Sequence, residues 1–134
     1  MNIPSDHDLA AAVRALVPGA VAVYLFGSRA DGDQRPDSDL DLAVLAEGPL
    51  APVALWDAAQ SLAIRFDCDV DLVDLRTAST VLQHQIITTG RRLFGQGGVV
   101  ERFEIFVLSE MTSLNEARAP LLADIARDGF VHAR

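Results

Sequence analysis

Val21-Ala22-Val23-Tyr24-Leu25-Phe26-Gly27-Ser28, then ten residues, then Asp39-Leu40-Asp41-Leu42-Ala43-Val44-Leu45 is the stretch that decides the fold. Both apolar runs are short, partly β-branched or aromatic, and closed by turn residues, Pro18-Gly19 before the first and Gly48-Pro49 after the second. They read as two buried strands, residues 21–26 and 40–45. Residues 29–38 between them are loop chemistry, with room for one helical turn after Ser28. Side chains two apart in a strand point to the same face, so Asp39 and Asp41 project together while Leu40 and Leu42 face the core. Like charges placed this way destabilise a sheet. Their compensation is a divalent cation held by oxygen ligands, and Mg²⁺, which takes carboxylates and substrate phosphates together, suits them.

The same logic extends outward. Ser5 with Asp8 opens a helix over residues 5–17, whose apolar positions are Leu9, Ala12, Val13 and Leu16. Pro52 starts an amphipathic helix to residue 66, in which Leu55, Trp56, Ala59, Leu62, Ala63 and Phe66 form the apolar face. A third strand covers 69–75. Thr77 or Ser79 caps a helix with Val81, Leu82, Ile86 and Ile87 facing inward, ended by Gly90 and followed by a short strand at 92–94. The glycine-rich joint 95–98 divides a body, residues 1–95, from a helical tail, residues 96–134. The tail has one stretch marked by Val100, Phe103, Val107, Met111 and Leu114 and a second from Pro120 to Arg127.

A third acid completes the constellation. Asp71 stands in the third strand flanked by Val70 and Leu72, where a lone buried charge would be costly; Asp69 shares its face and is the alternative, and Asp74 lies on the other face. Gly27-Ser28 supplies the anion side. Glycine lets the backbone approach a phosphate, a helical turn there aims N–H groups at it, and the Ser28 hydroxyl adds a donor. Triphosphate at one end and metal carboxylates at the other define a nucleotidyl-transfer site. Two metals about 3.5 to 4 Å apart would serve in-line displacement at the α-phosphorus. Asp39 and Asp41 would bridge them, and Asp71 would be a ligand or the proton acceptor.

Composition narrows the partners. The 134 residues carry 50% apolar and 22% charged residues, which suits one globular domain with little room for a second. Nineteen acids oppose eleven bases, all arginine, for a net charge of −8, so direct nucleic-acid binding is not expected. No apolar run approaches the roughly 20 residues of a membrane span, and the first six residues lack a signal-peptide layout. A single cysteine, Cys68, rules out an internal disulfide and a cysteine metal cage. The expected address is the cytoplasm, with no membrane partner.

Gly27-Ser28-Arg29-Ala30-Asp31-Gly32, Ser38-Asp39-Leu40-Asp41-Leu42 and Val70-Asp71-Leu72-Val73-Asp74-Leu75 together resemble the minimal nucleotidyltransferases (MNT) of the DNA polymerase beta superfamily. The tail, Phe103-Glu104 to Gly129-Phe130, resembles members that act as antitoxins to a HEPN-domain ribonuclease toxin. The resemblance implies an α+β nucleotidyltransferase fold, an αβ sandwich around a small mixed sheet, with 1–95 as the nucleotidyltransferase domain. It implies Mg²⁺-dependent transfer of AMP from ATP to a tyrosine hydroxyl of the toxin. Carried over by position, Gly27, Ser28 and Arg29 hold the triphosphate, Asp39 and Asp41 bind metal, and Asp71 is the third carboxylate. Two other functions compete: an antitoxin that masks the toxin by contact alone, and a small-molecule nucleotidyltransferase, which would ordinarily need a second domain for its acceptor.

Other residues take plainer readings. Arg29 can equally neutralise the acidic loop, Arg35 is solvated, and Asp37 and Ser38 suit a turn into the strand. His84 reads as a packing or surface residue, with His7 and His132 near the ends. Trp56 reads as core packing in preference to adenine stacking, and Cys68 as a small residue before the third strand. The apolar stripe of the tail suits packing back on its own domain; apolar residues on more than one face at 103–108, taken with the resemblance, favour burial of part of it by another chain.

Overall fold

The computed structural model describes residues 4–27, 30 and 39–128. Eight elements follow in order: α1 (Asp6–Leu16), β1 (Ala20–Phe26), β2 (Leu40–Ala46), α2 (Pro52–Phe66), β3 (Val70–Asp74), α3 (Thr80–Thr89), β4 (Arg91–Gly95) and α4 (Gly98–Asp128). The four strands form one mixed sheet in the order β3-β2-β1-β4. β1 runs antiparallel to β2 and β4, while β2 and β3 are parallel. Parallel neighbours need a crossover, and α2 provides it.

The helix starts follow from their caps. Ser5 accepts from the Asp8 amide at 3.1 Å, Pro52 stands in the first turn of α2, and Ser79 accepts from the Leu82 amide at 3.2 Å. Alternation along the strands then sorts the core into two layers. Val23, Leu25, Leu40, Leu42, Val44 and Leu72 pack under α1 and α2; Ala22, Tyr24, Ala43 and Leu45 pack under α3 and α4 with Ile86 and Val100. A helix-covered sheet of this kind is the expected αβ sandwich.

Four expectations need correction. The tail is one helix: α4 continues through Pro120 to Asp128 without a break. Proline removes one helical hydrogen bond, while the turns on either side keep theirs. Trp56 is 63% exposed rather than core, because only Ala58, Ala59 and Leu62 of α2 are fully buried, and Leu55, not its neighbour, lies on that stripe. Val81 is exposed on α3, and Gln83 takes the buried place, donating to the Leu75 carbonyl at 2.9 Å. Asp71 is exposed, since among the described residues β3 is the last strand of the sheet. The deeply buried acid is Asp74, which accepts from the Leu50 and Arg76 amides at 3.0 and 3.1 Å.

Helix α4 packs on α3 and β1 through Val100 and Val107, both fully buried, while Ile105, Phe106 and Leu108 stay exposed. The Tyr24 hydroxyl donates to Glu104, which also faces Arg92 at 3.6 Å. The joint before α4 is tied back to the sheet by the Gln96 amide, which donates to the Val21 carbonyl at 2.8 Å.

Candidate active site

Register places the acids. In the parallel β2–β3 pair Asp41 lies opposite Asp71, so the two carboxylates share the sheet face that α3 and α4 cover further along. Asp39, two residues before Asp41, joins the same face. Asp41 is half-buried and Asp39 and Asp71 are exposed. Burial raises the Asp41 carboxyl above the ordinary carboxylate range, and the negative charges of Asp71 and Asp39 push it the same way. Asp71 is therefore the acid that faces Asp41. Asp69 instead lines a neighbouring cavity of about 520 Å³ with Asp39, Asp67 and Cys68.

Gly27 closes the other side. Across the antiparallel pair Phe26 lies opposite Asp41, so the residue that follows β1 reaches the Asp41 carboxylate. Gly27 has φ +76°, and a Cβ there would collide with Asp41 Oδ2. Glycine is required twice, for the left-handed backbone and for the space. The Ala30 amide donates to the Gly27 carbonyl at 3.1 Å. Ser28 and Arg29, the other expected phosphate contacts, lie outside the described residues, as do Asp31, Asp33, Arg35, Asp37 and Ser38.

Among the described residues no three His, Cys, Asp or Glu side chains draw together into a metal cage. The acids instead suit an ion that takes one or two carboxylates and completes its shell with water and phosphate oxygens. The donors are all carboxylate oxygen, they repel one another, and the side-chain-free Gly27 lets the Asp41 carboxylate lie directly against the backbone at the end of β1. That combination fits Mg²⁺. His84 is half-buried on α3. Trp56, read from the sequence as core, instead lines with Asp71 a separate cavity of about 340 Å³ at the edge of β3. The signal was present: Leu55, Ala59, Leu62 and Phe66 alone satisfy the helical stripe, and Trp56 lies about 100° around from Leu55.

Residues 17–97 match the family described as polymerase beta, nucleotidyltransferase. This chain belongs to that family. As a nucleotidyltransferase it is 40% identical over 121 residues to the protein adenylyltransferase MntA of Shewanella oneidensis, covering 90% of this chain and 87% of that protein. A chain from the crystal structure of a toxin-antitoxin with AMP-PNP superposes with a TM-score of 0.82 at 39% identity, covering 92% of this chain and 99% of that one. A chain from a tri-AMPylated Shewanella oneidensis HEPN toxin in complex with MNT antitoxin superposes at 0.75, with 37% identity and coverage of 90% and 95%. The fold that the resemblance implies and the nucleotidyl-transfer class read from the glycine-serine and aspartate spacing are thus the family's own.

Proposed function

We propose that this nucleotidyltransferase is a protein adenylyltransferase and antitoxin, which moves AMP from ATP to a hydroxyl of a HEPN-domain toxin and so neutralises it in the cytoplasm. The observation that carries the reading is Asp41, set between Asp71 on the neighbouring strand and Gly27 on the other side. Similarity to an MntA adenylyltransferase over 90% of the chain supports the protein substrate.

In the proposed reaction the acceptor oxygen attacks the α-phosphorus, the new P–O bond forms, and the bond to the β-phosphate bridging oxygen breaks, releasing pyrophosphate. Gly27, with Ser28 and Arg29 next in the chain, receives the triphosphate. Asp39 and Asp41 would hold Mg²⁺, and Asp71 takes up the hydroxyl proton. Bound Mg²⁺ supplies charge neutralisation on the phosphates and lowers the pKa of the attacking hydroxyl. No helix among the described residues is long and apolar enough to cross a membrane.

Incubating the chain with labelled ATP, Mg²⁺ and the HEPN toxin tests this. The wild type labels the toxin; Asp39→Asn with Asp41→Asn does not. A double variant that still protects cells while labelling nothing would establish masking by contact instead, a reading favoured only by the exposed Ile105, Phe106 and Leu108 on α4.

A further inference from the structure

We propose that the outer edge of β3, with the cavity beside Trp56, is the docking groove for the acceptor polypeptide, which adds to the sheet as an extended strand and so brings its hydroxyl to Asp71. This rests on the adenylyltransferase reading above and names where its protein substrate binds. Three observations converge on it.

The first is direction. The strand order sets Gly27 on the β1 side of Asp41 and Asp71 on the β3 side. In-line displacement needs the attacking oxygen and the leaving pyrophosphate on opposite sides of the phosphorus. With the triphosphate toward Gly27, the hydroxyl arrives across β3, and among the described residues no strand lies beyond it.

The second is hydrogen bonding. The Leu40 amide donates to the Asp69 carbonyl at 2.9 Å and the Leu75 amide to the Val44 carbonyl at 2.9 Å. In a parallel pair such bonds recur at every second residue, so Asp69, Asp71 and Val73 turn their main-chain groups toward β2. Val70 and Leu72 turn theirs outward. Those two residues line the 340 Å³ cavity with Leu55, Trp56, Gln60 and Asp71. Main-chain donors and acceptors beside an apolar recess match an extended peptide, the usual occupant of an open sheet edge.

The third is alternation. A strand added at this edge points the residue level with Asp71 to the carboxylate face, and its immediate neighbours to the opposite face, that of α2. Trp56, exposed on α2 next to Val70 and Leu72, is the surface those neighbours meet. The groove therefore selects a hydroxyl-bearing residue with an apolar side chain directly before or after it. It orients the acceptor without touching the nucleotide.

Steady-state AMP transfer to the HEPN toxin, varying toxin at saturating ATP and ATP at saturating toxin, tests the assignment with the full-length chain. Trp56→Ala is expected to raise the KM for toxin about tenfold or more, with the KM for ATP held within about twofold, and Trp56→Phe to recover most of the loss. Val70→Pro removes an outward N–H and no β2–β3 bond, so it should weaken toxin in the same way while its thermal melting stays near wild type. Unchanged toxin KM in Trp56→Ala and Val70→Pro overturns the groove. A rise in ATP KM alone in Trp56→Ala also overturns it and makes Trp56 an adenine platform. No labelling by the wild type overturns the adenylyltransferase reading itself, and this inference with it.

Discussion

Tyr24 Oη donates a hydrogen bond to Glu104, fastening the buried centre of β1 to the first half of α4. Burial raises the Tyr24 hydroxyl pKa far above its ordinary value, and the hydrogen bond and charge of Glu104 raise it further, against a smaller opposite effect of Arg92. The unfolded chain loses this proton near pH 10, while the folded one keeps it. Folding stability from this group is therefore complete below about pH 10 and declines as pH rises beyond it. Tyr24→Phe should remove that alkaline decline and cost about 1–3 kcal/mol at neutral pH, measured by urea unfolding at pH 7 and at pH 10.5.

Asp41 follows the same sign in the acid range. Its raised carboxyl pKa means that the folded state holds its proton more tightly than the unfolded one, so the stabilisation exists at acid pH and is lost as pH rises through the folded value. At neutral pH the charge is a cost of the site. Asp41→Asn is expected to raise the melting temperature at pH 7 and, in the same preparation, to abolish AMP transfer. Mg²⁺ with AMP-PNP should raise the melting temperature of the wild type and leave that of the variant unchanged.

Gly27→Ala places a methyl group where the Asp41 carboxylate lies, on a backbone with φ +76°. Moving a reacting group by about 1 Å costs on the order of 100-fold in rate, and the left-handed backbone costs roughly 1 kcal/mol in addition. The expected outcome is a kcat/KM about 100-fold lower with the fold retained by circular dichroism.

Asp74 joins the end of β3 to the start of α2 by accepting from the Leu50 and Arg76 amides, while the Arg76 side chain donates to the Ala46 carbonyl at 2.7 and 3.1 Å. Asp74→Ala leaves two amides without their acceptor. Denaturant titration should show a loss of about 2–4 kcal/mol.

The two layers of the core were readable because the β1 and β2 runs are continuous and apolar, and because Ser5, Pro52 and Ser79 mark helix starts by local chemistry. The shared face of Asp39 and Asp41 was readable because it depends on period-two alternation. Asp69 and Asp71 share a face, so alternation alone could not separate them. The β2–β3 register does, by setting Asp71 opposite Asp41. Exposure was harder. Val70-Asp71-Leu72 has the same pattern in a central strand as in an edge strand, and only the pairing order shows that β3 is the last one. Pro120 carried a strong local signal for a break, yet the helix runs through it.

The exposed setting of Trp56 also decides how this chain can be watched. It is the sole tryptophan, and Tyr24, 1% exposed, is the sole tyrosine. Indole emission from the native protein already comes from a water-bathed ring, so denaturation should shift its wavelength little. The phenol, enclosed and bonded to a carboxylate, should report loss of the native packing through its near-ultraviolet absorbance. One chromophore thus signals events at the rim of the sheet and the other the integrity of its centre.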